Sequence, residues 1–308
     1  MVLRVAVVGL GKIARDQHIP AIAATEGVEL AAIASRNASL PDVPSFPDLE
    51  TLLREGPTVD AVALCTPPQG RHAQATAVLQ AGKHLLLEKP PGATVAELVP
   101  LIAAASAVKR TLFATWHSRF AAGVEPARAF LAQRAIRAVR IDWKEDVRVW
   151  HPGQRWIWQP GGFGVFDPGI NALSILTRVL PGTVFLTESE FSFPENRAAP
   201  IAANLRFSGG GFEVRAEFDW RQTGPQTWDL VAETDAGAMV LSGGGKKLAV
   251  DGRVLAEGEN REYVGIYRRL RELTERGESD VDLSPLVHVA DAFLLARRVV
   301  VEPFMESP

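Results

Sequence analysis

The 308-residue chain predicts a doubly wound, parallel α/β domain over residues 1–118. An α+β domain with a large, open, mostly antiparallel sheet is expected over residues 119–308. Three observations predict this. Short continuous apolar runs alternate with helix-spaced segments in the first third of the chain. Runs of period two, separated by turn residues, fill the middle, and two helix-spaced segments close the chain.

The continuous runs are Val5–Val8, Leu30–Ala34, Ala61–Cys65, His84–Leu87 and Leu112–Ala114. Helical spacing separates them at Pro47–Arg54, Gln74–Ala81 and Val95–Val108. A strand that is apolar along its whole length is buried on both faces, as in a parallel sheet covered by helices on each side. The pattern changes near Trp116. A helical stretch, Pro126–Arg134, leads into Ala138–Val147, whose alternation buries one face. Further strands are expected at Val184–Phe193, Ala202–Phe207, Phe212–Trp220, Thr227–Glu233 and Ala238–Leu241. Gly, Pro, Asn and Asp between them signal hairpins, with Ser242–Gly245 as one hairpin loop. Helices at Arg261–Arg276 and Pro285–Val300 follow, the last expected to return to pack near the first domain.

Composition narrows the function. Hydrophobic residues at 47% and charged residues at 22% suit a soluble globular protein. A net charge of -3 gives no general attraction to nucleic acid or an anionic membrane. No apolar run approaches the roughly 18 residues of a membrane span. Met1–Val8 reads as a strand entering a glycine turn, not as a leader peptide. One cysteine, Cys65, excludes an intrachain disulfide and fits a reducing compartment, so the expected location is cytoplasmic.

Gly9-x-Gly11-x-x-Ala14 follows a strand and opens a helix, the context in which this motif binds a dinucleotide. Gly9 allows the tight turn, Gly11 lets a pyrophosphate approach the backbone, and Ala14 permits close helix–strand packing. Lys12 and Ile13 fall within the same turn, where helix N–H groups and dipole favour an anion. The second strand ends Ala34-Ser35-Arg36-Asn37, without the carboxylate that would hold a ribose 2′-OH. Arg36, beside Ser35, can instead pair with a 2′-phosphate, which predicts NADP preferred and NAD accepted. A solvated arginine in a surface loop is the plainer alternative.

Glu88-Lys89-Pro90 ends a strand, and ligands of open α/β sheets bind beyond the carboxyl ends of strands. Pro90 restricts Lys89 to extended geometry. Lys89 is thus a candidate to polarise, or exchange a proton with, a substrate hydroxyl. Thr66-Pro67-Pro68 ends a strand at the same edge, as a nicotinamide wall or merely a rigid turn. Gly161–Asn171 then leads into a helical pattern at Ala172–Leu180. Asp167 reads as an N-cap in its plain role. Asn171, four residues on, shares its helix face, so the pair offers an acceptor and an amide to sugar hydroxyls. Five of the seven tryptophans fall between residues 116 and 158, Trp150 among them, and their faces can cover the C–H face of a pyranose. His117 and His151, each next to a tryptophan, are candidate hydroxyl partners. A zinc alcohol dehydrogenase lacks its ligands here, and neither Tyr263 nor Tyr267 has the lysine four residues on that a short-chain dehydrogenase needs.

With these residues placed, the chain resembles the glucose–fructose oxidoreductase/inositol dehydrogenase/MocA superfamily over essentially its full length. Gly9-x-Gly11-x-x-Ala14, Thr66-Pro67-Pro68, Glu88-Lys89-Pro90 and Gly161–Asn171 occur in that family's order. The resemblance implies a Rossmann domain and a catalytic Lys89. The family's later motif reads Asp-x-Gly-x-His followed by Asp, whereas Asn171 and Ser174 stand here in place of the histidine and second aspartate. Ala114–Arg119 and Trp143–Gly153 are similar to a bacterial L-arabinose/D-galactose 1-dehydrogenase branch with the Asp…Asn version. That branch implies Lys89, Asp167 and Asn171 at the reacting end of a sugar, with Glu145 and His151 on its other hydroxyls. It also implies oxidation of the anomeric C1–OH to a lactone and a homo-oligomer, a dimer first among the options. Oxidation at a ring carbon of an inositol or sugar is the nearest rival, and a catalytically silent NADP-binding regulator is the alternative of another class.

Overall fold

The computed structural model describes residues 2–306. Its strands run β1 (Leu3–Val8), β2 (Val28–Ala34), β3 (Ser45–Phe46), β4 (Ala61–Leu64), β5 (His84–Leu87) and β6 (Leu112–Ala114) through the first third. Among these lie α1 (Ile19–Ala23), continuing a π-wound turn at Ala14–His18, then α2 (Leu49–Glu55), α3 (Arg71–Gln80) and α4 (Leu98–Ala107). Next come α5 (Val124–Leu131), β7 (Ile136–Lys144), α6 (Val147–Trp150) and α7 (Phe166–Val179). Strands β8 (Phe185–Pro194), β9 (Ala202–Gly209), β10 (Phe212–Asp219), β11 (Thr227–Thr234) and β12 (Gly237–Ser242) follow. The chain closes with β13 (Lys247–Val250), β14 (Arg253–Glu257), α8 (Glu262–Arg276), α9 (Ser284–Leu295) and β15 (Ala296–Val301).

Two compact units result: residues 1–117 with 261–283, and residues 118–260 with 284–308. The helix that joins the first unit is therefore α8, while α9 stays with the second. In the first unit all six strands are parallel, in the order β3-β2-β1-β4-β5-β6. The order reverses direction at β1/β4, the switch point where such sheets open a crevice. Strands β1, β4 and β5 are buried on both faces apart from Arg4 and His84, as their continuous apolar runs require.

The second unit holds a nine-stranded sheet, β14-β13-β12-β11-β7-β10-β9-β8-β15. Its pairs are antiparallel except β7/β10 and β8/β15. The alternation of β9 and β10 buries every second residue, so Val214, Ala216 and Phe218 face a core with Leu205 and Phe207. The expected helix Pro285–Val300 ends instead at Leu295, and Ala296–Val301 pairs with β8. Its Val299-Val300-Val301 run is β-branched and favours the strand. The β13/β14 hairpin turns at Asp251-Gly252, both at positive φ, the signature of a two-residue turn. Among the described residues no helix is long and apolar enough to cross a membrane.

Candidate active site

Register assembles the first unit's functional edge. Val8 pairs with Ala34 and with Leu64, and Leu64 pairs with Leu87. The residues that follow, Gly9, Ser35, Cys65-Thr66 and Glu88-Lys89, therefore line one sheet edge. Gly9 has φ +93°, and a Cβ there would lie 2.9 Å from the Thr66 nitrogen, so no other residue fits the turn. A Cβ on Gly11 would meet nothing within 4 Å. Protein packing does not demand that glycine; the open space at a helix N-terminus suits a pyrophosphate. The residues present thus fit a dinucleotide. Lys12 pairs with Asp16, one turn along. Arg36 lies exposed in the bend after β2, and the Ser35 N–H donates to the Phe46 carbonyl at 2.9 Å.

The strand-end lysine sits in a rigid frame. The buried Arg71 guanidinium donates to the carbonyl oxygens of Thr66, Glu88 and Pro90, tying the ends of β4 and β5 together on either side of Lys89. The Lys89–Pro90 peptide is cis. The Thr66 hydroxyl donates to Gln74 Oε1 at 2.7 Å. Glu88 is 3% exposed, accepts from the Tyr263 hydroxyl at 2.5 Å and lies 3.4 Å from His18 Nε2. His18 Nδ1 is 2.6 Å from the Tyr267 hydroxyl. His117, a candidate hydroxyl partner from sequence, bonds Glu262 through Nδ1 and stacks on Tyr263, with ring centroids 5.4 Å apart.

Burial alone would raise the Glu88 carboxyl. The close contact with His18 and the charges of His18, His117 and Lys89 outweigh it and hold Glu88 at about 2. Burial likewise opposes a charge on His18, yet its Cys65, Tyr267 and Glu88 neighbours hold it well above its usual range. The two have opposite pH signs. The contribution of Glu88 is complete above its ordinary 4.5 and is lost as pH falls towards about 2, roughly 3 kcal/mol in all. That of His18 is present below its ordinary 6.5 and is lost as pH rises through its higher folded value. Melting temperatures followed downward from pH 4.5 should fall more steeply for the natural protein than for Glu88→Gln. Parallel slopes would contradict the ion-pair assignment.

In the second unit Glu145, His151 and Asp167 come together. Glu145 follows β7, its N–H bonded to the Asp219 carbonyl at 2.9 Å and its Oε2 accepting from Trp228 Nε1 at 2.9 Å. His151 follows the short helix α6, with Nε2 3.3 Å from Glu145 Oε1 and Nδ1 3.4 Å from Asp167 Oδ2. Asp167 is the second residue of α7, whose N-cap is Val165, so it is not itself the cap. Pro168 falls in the first turn, where no N–H is needed. A Cβ on Gly169 would press to 2.7 Å from the Phe218 ring, so this glycine seats α7 on β10. Gly162 likewise leaves room for the carbonyls of Trp156 and Ile157; the close approach it permits is to the chain itself.

Asn171 lies one turn beyond Asp167, and its Oδ1 is buried without a hydrogen-bond partner. Trp150 is 39% exposed and packs against Trp228, with centroids 4.9 Å apart, and Trp228 stacks on Trp143 at 5.9 Å. Among the described residues no three His, Cys, Asp or Glu side chains form a metal-holding group.

Sequence reasoning missed Arg71, His18, Tyr263, Tyr267 and Trp228. Tyr263 and Tyr267 did carry a signal, since four residues apart they share a helix face. The others are single residues with no local pattern.

Residues 3–115 match the GFO/IDH/MocA oxidoreductase family with its NAD-binding Rossmann fold. The chain is 45% identical over 308 residues to a galactose 1-dehydrogenase of Pseudomonas fluorescens, covering 99% of each. It matches a crystal structure of a D-galactose-1-dehydrogenase protein from Rhizobium etli with a TM-score of 0.94 and 55% identity, over 99% of this chain and 98% of that one. A 3-ketoreductase from Actinomadura kijaniata, solved with NADP, shares the fold at 17% identity and a TM-score of 0.82, over 98% of this chain and all of its own. With its motifs on one strand edge and relatives aligned end to end, this chain belongs to the GFO/IDH/MocA oxidoreductase family.

Proposed function

We propose that the protein is a sugar 1-dehydrogenase that oxidises the anomeric C1–OH of D-galactose and L-arabinose to the lactone, with NADP preferred and NAD accepted. The observation that carries the reading is the buried, unpartnered Asn171 Oδ1 one turn from Asp167, an acceptor awaiting a hydroxyl donor. The full-length similarity to a galactose 1-dehydrogenase supports the same substrate class.

The nicotinamide, when bound, supplies the two-electron acceptor. The protein's residues supply the rest. Asp167 accepts the hydroxyl proton and Lys89 polarises O1. Asn171 orients a neighbouring hydroxyl, and the half-exposed Trp150 offers its ring to the C–H face of the sugar. An anomeric hydroxyl is more acidic than an ordinary alcohol, and the ring oxygen assists as hydride leaves C1. A modest base and tight positioning therefore suffice. Arg36, exposed at the end of β2 where no carboxylate stands, pairs with the 2′-phosphate in this reading.

Formation of reduced cofactor across a panel of aldoses and inositols tests the reading. Turnover of D-galactose or L-arabinose with lactone as product is expected, and turnover of an inositol alone would move the chemistry to a ring carbon. In the same assay Arg36→Asp should reverse the preference for NADP, by about tenfold or more. An unchanged NADP/NAD ratio of kcat/KM would remove Arg36 from that role. The reading includes a homodimer, supported by Phe185, Leu294 and Val300 standing exposed on the second unit. Light scattering should return twice the mass of one chain, and a single-chain mass would rule the dimer out.

A further inference from the structure

The imidazole of His151 has a carboxylate on each side. Nδ1 lies 3.4 Å from Asp167 Oδ2 and Nε2 lies 3.3 Å from Glu145 Oε1. All three side chains are largely withdrawn from solvent, at 16% for His151, 3% for Glu145 and 6% for Asp167. Each is held from its own segment. The His151 N–H bonds the Val147 carbonyl at 2.8 Å, the Glu145 N–H bonds Asp219 and the Asp167 N–H bonds the Gly164 carbonyl at 2.8 Å. Among the described residues of the second unit, the carboxylates within 4 Å of the ring nitrogens are Glu145 and Asp167. The neighbouring Asp146 is turned onto Arg148 at 2.8 Å, and the remaining close ring is the uncharged Trp220 indole at 5.3 Å.

From this arrangement we infer that His151 is a proton-relay residue, conducting the proton taken by Asp167 onward to Glu145. The inference rests on the sugar-dehydrogenase reading above. The O–H bond of the C1 hydroxyl breaks and its proton forms an O–H bond on Asp167. The C1–H electron pair leaves as hydride to the oxidant of that reading, and C1=O forms. The proton on Asp167 then passes to Nδ1 while the Nε2 proton passes to Glu145. Asp167 is left ionised and the imidazole is left neutral in its other tautomer. Imidazole suits the task because each of its nitrogens can be donor or acceptor. Glu145 is equipped to receive the proton. Its Oε2 is already occupied by the Trp228 N–H, while Oε1 faces His151 and makes no aligned hydrogen bond. A residue that merely recognised sugar would turn one ring nitrogen to the ligand; here both nitrogens face the chain's own carboxylates.

The test uses the full chain with D-galactose and NADP. His151→Gln should lower kcat about 10²–10⁴-fold while KM changes only a few-fold, the range of a lost proton-transfer partner. Added imidazole should restore turnover to His151→Ala. A raised KM with kcat preserved would overturn the inference in favour of simple sugar contact, and a lowered kcat without imidazole rescue would overturn it in favour of a structural role. An independent readout needs no variant. In the unmutated protein with NADP, the His151 ring-nitrogen resonances should shift between tautomers as galactose is oxidised, and resonances unmoved while the lactone forms would sink the relay. If the unmutated protein oxidises no sugar, the failure belongs to the dehydrogenase reading and not to the relay.

Discussion

Lys89→Ala should abolish most turnover, by about 10²–10⁴-fold in kcat, while leaving dinucleotide affinity within a few-fold. The two effects separate because the glycine turn and the lysine occupy different strand ends. Gly9, Gly11 and the following helix hold the phosphates after β1, whereas Lys89 follows β5. Its backbone is held at both neighbours, through the Glu88 and Pro90 carbonyls on Arg71 and through the Glu88 side chain on Tyr263 and His18. Removing the side chain leaves that frame standing. Lost activity with only a small fall in melting temperature, from the Lys89 charge lost beside Glu88, is therefore the expected pattern, and fluorescence titration with reduced cofactor reports the affinity. Near-normal turnover would eliminate Lys89 from the chemistry, whether as the group that polarises O1 or as the one that moves its proton.

The frame itself gives the second large effect. Arg71→Met keeps much of the volume but removes the donors that reach Thr66, Glu88 and Pro90. Each buried carbonyl left without a donor costs about 1–3 kcal/mol, so a loss on the order of 3–5 kcal/mol is expected after local relaxation. Turnover should fall as well, because the segment carrying Lys89 is no longer tied to the end of β4. Arg71→Lys should recover only part of both losses. A single ammonium cannot span three carbonyls as a planar guanidinium does. Calorimetry and kcat measured on the same preparations check the linkage; Arg71→Met with both values intact would show that the strand ends hold themselves.

The elements legible in sequence were those whose signal is local. Val5–Val8, Ala61–Cys65 and His84–Leu87 are apolar throughout because both sheet faces are covered, and the glycine motif is contiguous with the strand and helix that give it meaning. Strands β13 and β14 were not expected, although the Asp251-Gly252 turn between them is an equally local signal. The β15 segment carried no such signal, because a valine run directly after the helix-spaced Ser284–Leu295 reads equally well as the end of that helix until β8 is present to pair with it. The polar frame around Lys89 was illegible for a different reason. Arg71, His18 and Tyr263 act on groups 17, 70 and 175 residues away; nothing beside Arg71 or His18 marks them, and the spacing of Tyr263 and Tyr267 marks only a shared helix face. In the second unit Asp167, Asn171 and His151 were singled out by local spacing and neighbours, and Glu145 by resemblance. That both nitrogens of His151 face carboxylates follows only once α6 and α7 have been folded onto the end of β7.

The passage of the chain from the first unit to the second at residue 118, back at 261 and out again at 284 has a consequence for modularity. The stretch matched by the family, residues 3–115, is not a detachable cassette. Cut there, it would carry a buried glutamate and a buried histidine away from the two tyrosines that neutralise their isolation. Recombination among relatives must therefore exchange two stretches of gene together, and a dinucleotide unit transplanted with a single junction would arrive without the helix that completes its interior.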